Sequence, residues 1–386
     1  KDEFYYMIMA EKGKEYSPKH LNTILNRLLT LGYEFLAVAE VRGSVVRANE
    51  IALGLARRRN WEPTVLDLAR RIELQLEKKP EDHETFFLRF LIAEASLEVN
   101  MGGKKVSEEH TFQKTRKELE ALTMSLWLRY RCLFLDRQMA MDRTVNSTQI
   151  LDQIVSSYSL DETDWPNHLI HTYQKVLDML TDPNSESKYR TAWDHLFALR
   201  EDEISAGPSE ECFSLLYNQA RRMTINGKEN RSNVAVLLLH MANRIKGTLH
   251  HNVLKNWIAY LGVSSEVDAA RQILYRFQDR ISGYEAESAY AYNKGVLAFY
   301  DGEFPEAYHI FSDVIYASSI EYIKLAGRLY LWRSAISDTL ETGQYDARWF
   351  EYRKESDRQF FRRFKFKSER RKEFYQWSFD CLKQFY

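Results

Sequence analysis

Apolar residues recur every three to four positions along almost the whole chain, the period of one face of an α-helix. Leu21, Ile24, Leu25, Leu28 and Leu29 form the first such face. It follows Ser17-Pro18, an N-cap hydroxyl with proline at the first helical position. Gly32 and Gly43 punctuate, and Val45 to Arg59 is the next predicted helix. Pro63 opens a third, whose broad stripe of Val65, Leu66, Leu68, Ala69, Ile72 and Leu76 ends before Pro80. His83 to Val99 carries Phe86, Phe87, Phe90, Leu91 and Ala95 and closes at Gly102-Gly103. Ser107 to Arg143 is the longest uninterrupted pattern, with Leu119, Leu122, Leu126, Tyr130, Leu133 and Met139 at helical spacing.

Shorter helices are predicted over 147–158, 164–181, 188–203, 209–225, 230–246 and 249–261. Asp182-Pro183, Gly207-Pro208, Asn226-Gly227 and Gly247 mark the breaks. The apolar run Val234 to Leu239 has strand-like content, but its flanks are helical and no hairpin signal stands nearby, so it is assigned to a helix. No low-complexity linker divides the chain. The loop near 101–107 and the turns near 182–187 are the candidate seams.

Composition sharpens this picture. Glycine (15) and proline (7), the two helix breakers, are scarce among 386 residues, so helices can run long. Hydrophobic content of 45% and charged content of 28% are those of a folded globular protein. Aromatic residues reach 13%, with 23 Tyr and 21 Phe available to fill seams between helices. A net charge of −1 gives no global pull toward nucleic acid or anionic membrane. Cys132, Cys212 and Cys381 form no CxxC pair or disulfide framework, which suits a reducing compartment. No run approaches a membrane span, and Lys1 to Ala10 do not make a secretory signal, so a cytoplasmic protein without a membrane partner is expected. The first residue is Lys, so a preceding piece is also expected.

The stretch Ala289 to Ile315, AYAYNKGVLAFYDGEFPEAYHIFSDVI, carries a repeat signal. Asn293, Gly295, Phe299, Gly302, Phe304, Ala307 and Phe311 resemble the tetratricopeptide pattern at its own spacings. Gly295 and Ala307 would permit close helix approach, Gly302 would take the left-handed turn, and Phe304 and Phe311 would fill the space between the helices. A looser pair follows, with Ile320 to Leu340, the turn Gly343-Gln344-Tyr345 and a helix from Ala347. Gly302 and Gly343 are 41 residues apart and Gly262 is 40 before Gly302, longer than the roughly 34 of a regular array. The resemblance covers about 249–386. The segments RNWEPTVLDLARRIE, TFFLRFLIAEASLE and LWLRYRCLFLDRQMAM, with the closing aromatic and basic helices, also resemble an uncharacterised group of bacterial all-helical proteins that end in such repeats. That resemblance implies a helical array and carries no activity with it.

Catalytic and cofactor signatures are absent: no P-loop, GxGxxG after a strand, HExxH, GxSxG or EF-hand loop. His168 and His171 share a helix face and His250-His251 are adjacent, yet neither pair has further ligands at metal-binding spacing, so no metal and no cofactor are expected. The acidic groups Glu201/Asp202/Glu203 and Glu210/Glu211 read as solvated faces and first-turn charges, and Cys132 reads as core.

Two features remain as functional candidates. In a tetratricopeptide register, Tyr292, Val296, Phe299 and Tyr300, with Ile323, Tyr330 and Leu331 of the following pair, line an inner face suited to a partner peptide or helix. The same residues would equally serve as packing between repeats. From Arg353 to Lys372, ten of twenty residues are Lys or Arg, interleaved with Phe360, Phe361, Phe364 and Phe366 and opposed only by Glu355, Asp357 and Glu369. Arg362, Arg363, Lys365 and Lys367 would then contact phosphates while the rings stack on bases, or the rings would be buried and the charges solvated.

The sequence therefore predicts an all-α fold, a solenoid of antiparallel helix pairs. An irregular region spans 1–248 and tetratricopeptide-like pairs span 249–386. The expected role is a non-catalytic scaffold for an unidentified partner protein, with nucleic-acid association through 353–372 as the alternative.

Overall fold

The computed structural model describes residues 18–101, 105–141, 167–225, 227, 231–283, 285–344, 346–366 and 369–383. Among them the chain is all-α. Its helices are α1 (Pro18–Gly43), α2 (Val45–Arg58), α3 (Glu62–Leu76), α4 (His83–Asn100), α5 (Lys105–Met141), α6 (His168–Thr181), α7 (Glu186–Ala198) and α8 (Ala206–Ile225). Then come α9 (Arg231–Arg244), α10 (His251–Val263), α11 (Val267–Arg276), α12 (Ala286–Tyr300), α13 (Phe304–Ala317), α14 (Glu321–Thr342), α15 (Ala347–Arg363) and α16 (Glu369–Lys383). Two short strands, β1 (Leu249–His250) and β2 (Ile281–Ser282), pair in parallel. Consecutive helices pack on one another, as in a helical-repeat fold.

Local chemistry sets the helix ends. The Ser44 hydroxyl accepts from Arg47 N at 3.3 Å at the start of α2. Asp82 and Thr85 form a reciprocal capping box on α4, with Thr85 N donating to Asp82 Oδ1 at 2.7 Å and Asp82 N donating to Thr85 Oγ1 at 2.9 Å. Val234 to Leu239 lies in α9, as the helical flanks required.

Some expectations shift. Helix α1 runs through Gly32 without a break, because one glycine costs only about 1 kcal/mol against good helix formers on both sides. Gly207-Pro208 falls inside the first turn of α8, where proline's missing N–H leaves nothing unsatisfied. The helix expected over 188–203 ends at Ala198. The one expected from 249 begins at His251, after β1. The helix predicted over 147–158, Ser17 and Gly102-Gly103 lie outside the described residues.

The chain divides into two compact units. One comprises Lys1–Leu177 and Phe197–Pro208, the other Asp178–Leu196 and Ser209–Tyr386, so the expected boundary at 248 falls inside the second. In the first unit, Leu53, Ala56, Val65, Ile72, Leu88 and Ile92 of α2, α3 and α4 make a dry core. Arg57 ties α2 to α4 through Glu94 at 3.0 Å and Glu98 at 2.5 Å. Glu81 accepts from Leu169 N at 2.9 Å at the start of α6, and burial pushes its carboxyl above the ordinary glutamate value. In the second unit the densest packing runs through α12, α13 and α14.

Candidate functional site

Helices α12, α13 and α14 hold the residues expected to meet a partner, and three small side chains decide how closely they approach. A β-carbon at Gly295 would meet Phe311 Cζ at 2.9 Å and Ile310 Cγ2 at 3.0 Å, so glycine is what lets α12 lie against α13. Gly327 does the same between α14 and α13, where a β-carbon would meet Ile315 Cγ2 at 2.7 Å. Ala307 is fully buried at the same seam. The turn between α12 and α13 uses Gly302 at φ +85°, the left-handed conformation expected of it.

Helices this close interdigitate their large side chains. Tyr292 is only 2% exposed, its ring edge-on to Phe311 at 5.8 Å, Tyr322 at 5.2 Å and Tyr330 at 6.3 Å. Val296, Phe299, Ile323 and Leu331 are buried with it. Tyr300 and Tyr330 are half-buried, their hydroxyls 3.3 Å apart, and the Arg333 guanidinium lies 4.5 Å over the Phe299 ring. Burial pushes the Tyr292 and Tyr330 phenols above the ordinary tyrosine value. These seven positions thus form one packing layer between helices. Only the edges of Tyr300 and Tyr330 reach solvent.

The basic segment divides. Arg362, Arg363 and Lys365 are exposed, and Lys367 lies outside the described residues. Phe360 packs on Phe364 at 5.0 Å, Phe361 on Phe366 at 5.9 Å, and Phe361 also on Phe379 of α16 at 4.7 Å. The rings therefore engage one another.

Arg353 and Asp357, counted with that segment in the sequence, are instead buried. Asp357 accepts from Arg328 Nη1, from Trp332 Nε1 at 2.6 Å and from Arg353 Nε at 3.3 Å. Arg328, Arg353 and Asp357 have side chains 5%, 5% and 2% exposed. Two guanidiniums share one carboxylate, so burial pushes Arg328 below the ordinary arginine value although Asp357 supports its charge. The i, i+4 spacing of Arg353 and Asp357 was visible in the sequence; the contribution of Arg328 and Trp332 from α14 was not.

His251, Cys132 and Cys212 are buried packing groups. The His250 and His251 rings stack at 4.4 Å, and Cys132 is buried with its thiol directed at Tyr173 O at 3.5 Å. Among the described residues no three His, Cys, Asp or Glu side chains cluster so as to hold a metal ion, and no helix is long and apolar enough to cross a membrane.

Among the described residues, two surfaces open to solvent were not singled out as functional candidates by the sequence. Helix α1 exposes Leu28, Leu31, Phe35 and Val38, reaching 71% at Phe35. A cleft of about 450 Å³ between α13, α14 and α15 is walled by Tyr308 and Trp349 and carries Asp338 and Asp346. Two carboxylates, Asp338 half-buried and Asp346 exposed, and two rings spread over three helices leave no short-range pattern to read. No family model matches the sequence, and neither a curated protein nor a solved structure is significantly similar to it.

Proposed function

We propose that this protein is a non-catalytic scaffold that binds another protein, built on tetratricopeptide-like helix pairs in its C-terminal part and working in the cytoplasm. The observation that carries the reading is the apolar face of α1. Ile24, Leu28, Leu31, Phe35 and Val38 follow one another at spacings of four, three, four and three, the heptad rhythm of a helix that packs against another helix. The last four are all at least half exposed. Contiguous exposed apolar surface on a soluble fold marks a contact site. The glycine-mediated approach of α12, α13 and α14 supports the repeat character, and two fully buried thiols, Cys132 and Cys212, fit a reducing compartment.

The test compares the parent chain with the double variant Leu28→Glu/Phe35→Glu in affinity capture from native lysate, with and without nuclease, read by mass spectrometry. Both positions are exposed, so circular dichroism should show unchanged helicity. A stoichiometric protein that survives nuclease and is lost by the variant supports the scaffold. Equal capture by both chains refutes the α1 contact. Recovery that vanishes with nuclease moves the function to nucleic acid and to Arg362, Arg363 and Lys365.

A further inference from the structure

The cleft between α13, α14 and α15 has a composition that selects its occupant. Tyr308 of α13 and Trp349 of α15 are half-buried, pack edge-to-face at 5.5 Å and 62°, and both line the cleft. Trp349 also packs on Trp332 at 5.9 Å and on Phe350, another lining residue, at 4.7 Å, which fixes the wall in place. Asp338 stands on the α14 side, half-buried, and no hydrogen bond or ion pair engages its carboxylate among the described residues. Asp346 caps α15 through Oδ1, accepting from Arg348 N at 3.0 Å and Trp349 N at 3.1 Å, and this leaves its other oxygen open. Neither lysine nor arginine lines the cleft; its two carboxylates share the lining with one imidazole, that of His309, which is exposed and stacks edge-on beside Tyr308 at 5.5 Å.

We propose that this cleft is a subsite for an arginine side chain presented by the partner protein, resting on the scaffold reading and naming the chemistry of one of its contacts. A guanidinium is planar, so it stacks on the Trp349 face while its N–H fork meets the Asp338 carboxylate. Tryptophan is the strongest of the aromatic partners for a cation. The volume, about 450 Å³, lies within the range of ligand sites and exceeds what one side chain fills, leaving room for the adjoining backbone. The two carboxylates repel an acidic or phosphorylated segment from the same place.

The probe is a blocked tripeptide, acetyl-Ala-Arg-Ala-amide, titrated into the full chain labelled with 5-fluorotryptophan and followed by fluorine NMR. Trp349→Phe assigns the reporter resonance. The control is the same peptide with citrulline, which keeps the shape of arginine and removes its charge. The arginine peptide should shift the Trp349 signal saturably, and the citrulline peptide should not. Asp338→Asn should weaken binding about tenfold or more, the scale of one charge-assisted hydrogen bond. Asp338 is half-exposed and caps nothing, so this variant tests the site without touching the cap that Asp346 provides. An unmoved Trp349 signal, an equal response to citrulline, or undiminished binding by Asp338→Asn overturns the assignment. Capture of a partner by a chain whose cleft ignores arginine removes the subsite and keeps the scaffold. Arginine binding in a chain that captures nothing does the reverse.

Discussion

Asp357→Asn removes one charge from a buried position in the second unit and almost no volume. In the parent, that carboxylate is the common acceptor for Arg328, Arg353 and the Trp332 indole, and the charged side chains are at most 5% exposed. The variant leaves two guanidiniums facing each other without a counter-ion. Breaking a buried pair by removing one partner costs about 3–5 kcal/mol. At 1.36 kcal/mol per power of ten, amides whose exchange requires opening of α14 and α15 should exchange roughly 160- to 5000-fold faster. Hydrogen exchange read on peptides from those helices is the suitable assay, since a chain of two compact units has no single unfolding free energy. The triple variant Arg328→Met/Arg353→Met/Asp357→Leu should recover most of the loss. An apolar replacement of a buried ionic group gains about 1–4 kcal/mol, against about 1–3 kcal/mol for the Trp332 N–H left without an acceptor. An Asp357→Asn effect below about 1 kcal/mol would refute the claim that this carboxylate neutralises the two arginines.

Two further outcomes follow from the packing. Gly295→Ala places a β-carbon at 2.9 Å from Phe311 Cζ and should cost about 1–3 kcal/mol, read as faster hydrogen exchange in peptides of α12 and α13, whereas unchanged exchange would mean that α12 and α13 are not in close contact. Burial holds His240 and His251 below the ordinary imidazole value, with Arg244 near the first and His250 and Lys255 near the second. The folded chain therefore takes up those protons less readily than the unfolded one. Their contribution is complete above an unfolded value of about 6.5 and is lost as the pH falls through it, so the second unit should be less stable at pH 5.5 than at 7.5. His251→Gln should flatten that difference, and an unaltered pH slope would show that this imidazole is not the group responsible.

Helix existence was legible because apolar periodicity is a local signal, and α3, α4 and α9 stand where it placed them. What escaped depends on partners distant in sequence. β1 and β2 contribute two residues each and have no alternation to detect. Gly32 carries the residue type of a break, but its neighbours outweigh it. The roles expected of Gly295 and Gly302 stand, since a close approach and a left-handed turn each favour glycine through local backbone sterics.

The direction in which a face points is a different kind of information. Tyr292, Val296 and Phe299 have the spacing of an inner groove and equally of an interhelical seam, and the distance between helices decides between them. That distance is set by Gly295, Ala307 and Gly327, small residues on three helices whose combined effect is to close the seam on the rings. On α1 the opposite holds: leucines at the same helical rhythm face outward, with Phe35 at 71% exposure. An apolar stripe in the sequence thus identifies a surface that must be covered without saying by what. In the second unit α13 and α14 cover it, whereas the stripe on α1 stays exposed, which is why it is the surface proposed to meet a partner.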